Sequence, residues 1–152
     1  MSATSRLAEL GLSIPAVAKP VASYVPATIA GNLVFTAGQL PFVDGQLPAT
    51  GKVGAEVTAA DAPELARTAV LNALSAIETA IGSVDRITRI VKLVVFVASD
   101  PDFSGQPAVA NGASDTLVEI FGDAGRHARS AVGVAVLPLD APVELELIVE
   151  FD

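Results

Sequence analysis

An α+β fold is predicted: a mixed sheet in the element order β-β-α-β-α-β-β, with two helices on one face. Three observations point to it. A stripe of Ala66, Ala69, Val70, Ala73, Leu74, Ile77 and Ile81 recurs at the helical spacing of three and four. Five short segments rich in β-branched residues are bounded by Gly, Pro and Asn. One of these, Ile87 to Ala98, is apolar on both parities, with Val91, Leu93, Val95 and Val97 on one side and Ile90, Val94 and Phe96 on the other, so both of its faces need a cover.

The elements follow in order. A turn from Ser5 to Leu10 ends at Gly11, and Pro15 and Pro20 keep the chain extended as far as Val21, so residues 1–20 read as an N-terminal extension. A hairpin follows, from Tyr24 to Ile29 and from Leu33 to Ala37, turning at Gly31-Asn32 and closed by Gly38 and Pro41. The stretch Phe42 to Val57, with three glycines and Pro48, reads as a loop. The first long helix is capped by Asp61, carries Pro63 and Glu64 in its first turn and stops at Gly82. After the strand Ile87 to Ala98 comes a helix from Gln106 to Phe121, stopped by Gly122. Two strands, Ala128 to Val136 and Val143 to Phe151, are joined through Leu137-Pro138. No linker, repeat or low-complexity stretch divides the chain, which reads as one domain over residues 1–152.

Composition narrows the function. With 51% hydrophobic and 17% charged residues, the chain is apolar for a small monomer and is expected to bury surface in an oligomer. Period-two alternation assigns Val132, Val134 and Val136 to the helices, and Arg129, Ala131, Gly133 and Ala135 to the opposite face, whose small residues would admit another subunit. No apolar run is long enough for a bilayer and no signal-peptide pattern opens the chain, so a cytoplasmic protein without a membrane partner is expected. Without cysteine and with one histidine, His127, neither thiol chemistry nor a zinc cluster can be built, and neither a metal nor a cofactor is expected. A formal charge of −8 argues against nucleic acid.

The chemistry gathers in the last quarter. Arg129, whose planar fork grips carboxylates, stands fifteen residues before Glu144 on what reads as the neighbouring strand. A structural salt bridge between the two is the plain alternative. Glu144 and Glu146 share a parity opposite Leu145, Leu147 and Val149, as on a solvent-facing strand; under a second subunit, such a carboxylate would be partly desolvated and able to activate water. His127 lies beside Arg126 and Arg129 in a positive cluster that suits an anion or is an ordinary charged loop. Tyr24 is the lone tyrosine and could be simple packing, and Ser130 has no base near it in sequence.

Tyr24, Gly31-Asn32, AGQLP from Ala37 to Pro41, IVKLVVFV from Ile90 to Val97, ARS from Ala128 to Ser130, Leu137-Pro138 and Glu144 together resemble the RidA (YjgF) family in residues and order, over nearly the whole chain. The resemblance implies a chorismate-mutase-like α+β fold and a barrel-like homotrimer with clefts at the subunit interfaces. It also implies hydrolysis of 2-aminoacrylate-type enamines and imines to 2-oxo acids and ammonia, while older members were described as endoribonucleases. On this likeness Arg129 and Glu144 are the catalytic pair, and Tyr24, Gly38, Asn111, His127, Arg129 and Ser130 contact a small carboxylate-bearing metabolite. A non-catalytic module binding a carboxylate metabolite in the same cleft is the alternative. The stretch Asn111 to Ser130 resembles a distinct branch, with Ala131 where deaminating members often carry cysteine, and with either Asn111 or Ser114 at the position of the family's substrate-contacting asparagine.

Overall fold

A computed structural model describes residues 1–17 and 23–152. The expected extended run through Pro20 to Val21 therefore lies outside the described residues. The N-terminal turn is a short helix, α1 (Ala3–Glu9), capped by Ser2, whose hydroxyl accepts from the Ser5 amide at 3.1 Å. Buried Ala3 and Leu7 seat it, and the Arg6 Nε donates to the Glu119 carbonyl at 2.9 Å, so the extension is docked on the body of the protein.

The hairpin forms as β1 (Ala27–Ala30) and β2 (Leu33–Thr36), with Ala30 opposite Leu33 across the two-residue turn. Gly31 has φ 63°, which a side chain would disfavour. Helix α2 (Ala62–Ile81) buries the whole stripe from Ala66 to Ile81 read from the sequence and ends on Gly82 at φ 91°. Asp61 stands at its cap position but makes no capping bond: its backbone is helical at φ −86° and ψ −26°, and its carboxylate accepts from the Thr58 hydroxyl at 2.8 Å.

Strand β3 (Ile87–Ala98), helix α3 (Gln106–Phe121) and strands β4 (Ala128–Val134) and β5 (Val143–Phe151) complete the chain. The five strands are ordered β1-β2-β5-β3-β4, with β3 and β4 parallel and the other pairs antiparallel. The sheet is therefore mixed, as expected, and α2 and α3 pack together on one side of it. Between helices and sheet lies one core, including Leu74, Ile77, Leu93, Val95, Leu117, Leu145 and Leu147.

Two expectations are corrected. Strand β4 is not the neighbour of β5; β3 lies between them and β4 is an edge. The parity of β4 is also reversed. In the parallel register Leu93 pairs with Arg129, Val95 with Ala131 and Val97 with Gly133, and those three β3 side chains are the fully buried, helix-facing ones. Arg129, Ala131 and Gly133 thus face α3, while Val132 lies on the open face and is 44% exposed. Close approach explains the small residues: a Cβ built on Gly133 would stand 2.8 Å from the Gln106 amide nitrogen of α3. Ala135 and Val136 fall beyond the end of the strand, and Val136 is exposed.

Candidate functional site

The residues singled out in the sequence gather at two places. The first lies at the β4 edge, under α3. Arg129 rises from β4 to meet Asn111 and Ser114, three residues apart on one side of α3, and its Nη1 donates to Asn111 Oδ1 at 2.8 Å and to Ser114 Oγ at 3.1 Å. Its Nη2 donates to the Pro107 carbonyl at 3.4 Å. All three partners are neutral. Among the described residues no salt bridge involves Arg129, so the alternative of a structural pair with Glu144 is not what one protomer forms. A guanidinium has five N–H donors, and these bonds occupy both on Nη1 and one on Nη2, leaving the Nε–H and a second Nη2–H for a ligand.

His127 belongs to this cluster through Ser114 rather than through charge. Its Nδ1 lies 2.6 Å from the Gly125 carbonyl, which can only accept, so Nδ1 carries the proton. In the neutral ring Nε2 is then the acceptor for the Ser114 hydroxyl, 3.0 Å away. Arg126 takes no part: it is exposed and reaches Asp123 at 3.4 Å. The expected positive cluster of three is therefore one guanidinium on a polar frame of Asn111, Ser114 and His127.

The second place is on the open face of the sheet. After β2 the chain runs beside β5, where the Gln39 amide donates to the Leu145 carbonyl at 2.7 Å and the Leu145 amide returns a bond to Gln39 at 3.0 Å. That brings Gly38 against Glu144, so closely that a Cβ on Gly38 would stand 1.9 Å from Glu144 Oε1. Glu144 is half-buried beside Phe96, with exposed Glu146 on the same face. Desolvation, and to a lesser extent the Glu146 charge, raise the Glu144 pKa above the ordinary carboxylate value. Tyr24 is 56% exposed and lines an open groove of about 460 Å³ with Val25, Thr28 and Phe35. Ser130 pairs in register with Val94, which pairs with Glu146, and so shares this face.

One protomer does not join the two places. Arg129 lies on the helix face and Glu144 on the open face, with β3 between their strands and Glu144 in register with Phe96 rather than with Leu93, the partner of Arg129. Ser114 is the residue that sequence reasoning placed least firmly. Its signal was the i, i+3 spacing from Asn111, which puts both side chains over one point of β4, so the asparagine and the serine both serve Arg129. Among the described residues no three His, Asp or Glu side chains converge as a metal site, and no helix is long and apolar enough to cross a membrane.

The frame is shared with known proteins. The family model described as "YjgF/chorismate mutase-like, putative endoribonuclease" matches residues 4–151. Protein TCP17 of Trypanosoma cruzi is 44% identical over 149 residues, 97% of this chain and 93% of that protein. The crystal structure of Atu1372, a protein of unknown function from Agrobacterium tumefaciens, is similar at 44% identity and a TM-score of 0.92, over 99% of this chain and 92% of that one. E. coli TdcF with bound serine is similar at 29% identity and a TM-score of 0.64, over 90% of this chain and 94% of that one. With that match spanning all five strands and both long helices, the chain belongs to the YjgF/chorismate mutase-like (RidA) family.

Proposed function

We propose that the protein hydrolyses small imines of the 2-aminoacrylate type to 2-oxo acids and ammonia, in clefts between copies of the chain assembled as a trimer. The observation that carries this reading is the Arg129 guanidinium, held by three neutral acceptors with two N–H groups left over, which suits two-point binding of a carboxylate. The bound serine of TdcF, itself a small molecule with a carboxylate, supports the same ligand class.

In the proposed chemistry the enamine first tautomerises to the imine. Arg129 anchors the carboxylate, and Glu144 takes a proton from water as its oxygen bonds to the imine carbon, giving a carbinolamine. That proton passes to the imine nitrogen, the amine of the carbinolamine takes a second proton relayed from the hydroxyl group through solvent, and the C–N bond breaks as the carbonyl forms and ammonia leaves. A half-buried carboxylate of raised pKa is a stronger base for this step than an exposed one. Because Arg129 and Glu144 lie on opposite faces of one sheet, the pair requires a second copy to complete it. The apolar open face, with Val94, Phe96, Val132 and Ile148, provides the surface for that contact.

Ammonia and 2-oxo acid release from enamine generated in situ by a lyase tests the reading. Wild type should accelerate release over buffer, and Glu144→Gln and Arg129→Ala should each lose about 100- to 10,000-fold. No acceleration by wild type with any of several side chains would reject it. A carboxylate-binding module without turnover is the second reading, favoured by the fact that the Arg129 frame is complete within one protomer while Glu144 is remote from it. Binding lost in Arg129→Ala and kept in Glu144→Gln, with no turnover in wild type, would select it. The endoribonuclease in the family description fits less well with a net charge of −8.

A further inference from the structure

We infer that Ser114 and His127 are positioning residues that fix the direction of the Arg129 guanidinium, leaving its Nε and Nη2 as the ligand-facing edge. The Gly125 carbonyl anchors His127 Nδ1–H at 2.6 Å, and in the neutral ring that leaves Nε2 as an acceptor. The Ser114 hydroxyl proton is thereby committed to Nε2 at 3.0 Å, so the Ser114 oxygen turns a lone pair toward Arg129 Nη1 at 3.1 Å. The chain of bonds runs one way, from the guanidinium through the hydroxyl and the imidazole to a carbonyl. Its direction is set by the backbone of the 3-10 turn Gly122–Gly125, where Gly125 is buried.

Gly125 itself is held by packing, since a Cβ there would stand 2.3 Å from the Leu117 carbonyl oxygen of α3. The turn that orients His127 is thus pressed against the same helix that carries Asn111 and Ser114. In a serine that both accepts from Arg129 and donates to His127, no proton remains for a bound carboxylate. Ser114 therefore acts on a ligand through Arg129 and not by direct donation. The direction of Nη1 is specified by two oxygens, Asn111 Oδ1 and Ser114 Oγ, and a lysine could not occupy both and still present a fork.

The use of that edge for a ligand rests on the carboxylate reading above, so the experiment reads the two separately. Nitrogen NMR of the unliganded protein would follow the Arg129 guanidinium, and calorimetry with 2-oxobutanoate would follow binding. Slowed rotation should resolve the two Nη signals of Arg129 in wild type, with the signals merged in Ser114→Ala and His127→Phe and resolved again in Ser114→Thr, which keeps the hydroxyl. The dissociation constant for 2-oxobutanoate should rise roughly tenfold or more in Ser114→Ala and return toward wild type in Ser114→Thr. A Ser114→Ala protein with resolved Nη signals and wild-type affinity would overturn the inference. Signals that follow the expected pattern while wild type binds no 2-oxo acid would sustain the positioning role and reject the carboxylate reading.

Discussion

The two faces of the sheet are built from similar residues and reach different ends. On the helix face, Leu93, Val95, Leu145 and Leu147 are fully buried under α2 and α3, and polar groups there are few and bonded, as where the Thr36 hydroxyl accepts from the Leu147 amide at 3.0 Å. On the open face, Val94, Phe96 and Ile148 stay half-exposed, Val132 more so, and two carboxylates stand among them. Apolar surface left uncovered beside a partly desolvated carboxylate is poor design for a monomer and good design for a surface awaiting another chain. Packing is thus finished under the helices, where Arg129 sits at the β4 edge, whereas the face that carries Glu144 stays uncovered in one protomer.

Three experiments test that contrast. The largest effect is expected from Val132→Glu, which puts an unpaired charge on the open face. It should abolish assembly at micromolar concentration in sedimentation equilibrium, since each buried unpaired carboxylate costs on the order of several kcal/mol. A Val132→Glu protein with the mass of the wild-type assembly would show that the open face is not the contact. Gly133→Glu, by contrast, would strike the Gln106 side of α3 and report on helix packing.

Neighbouring residues of β5 allow a finer comparison. Leu147→Ala empties a fully buried site and should cost about 2–5 kcal/mol in denaturant unfolding. Ile148→Ala, half-buried on the other face, should cost visibly less in the Val132→Glu background than in the assembled protein. Equal costs in both backgrounds would mean that nothing covers Ile148.

The smallest effect is a pH dependence. Because the Glu144 pKa is raised in the folded protein, the group favours folding below its unfolded value, near 4.5, and that contribution is lost as pH rises through the folded value. Glu144→Gln should therefore be slightly more stable than wild type at pH 7, with the gap closing as pH falls below the ordinary carboxylate range. A gap independent of pH would mean that the folded site does not penalise the charge.

Much of this was legible in the sequence. Both long helices, their glycine stops and the bounds of β3 and β5 follow from local periodicity, and the order of elements stands as read, apart from α1 where a turn was expected. What failed was long-range. Alternation in β4 separates Arg129, Ala131 and Gly133 from Val132 and Val134 but carries no sign, and small residues admit a neighbouring subunit as readily as a neighbouring helix. Only the placement of α3, with Gln106 lying on Gly133, decides the matter, and that depends on residues far away in sequence. The short connection through Leu137-Pro138 likewise suggested adjacent strands, although eight residues, 135–142, separate β4 from β5 and carry the chain past β3. The Arg129 frame was half legible, because Asn111 and Ser114 share a helix side, whereas the bond from His127 to the Gly125 carbonyl depends on a turn whose geometry no pattern announces.

Strand order has a consequence for synthesis. β5 comes last among the strands and yet lies in the middle of the sheet, between β2 and β3. While a ribosome has still to deliver Val143–Phe151, the β1-β2 hairpin and the β3-α3-β4 unit are separate pieces, each with an unpaired strand edge on the side that β5 will fill. The nascent chain therefore carries two unpaired strand edges until β5 is placed between them, and closure of the sheet, the burial of Leu145 and Leu147 and the arrival of Glu144 beside Gly38 all wait on that strand.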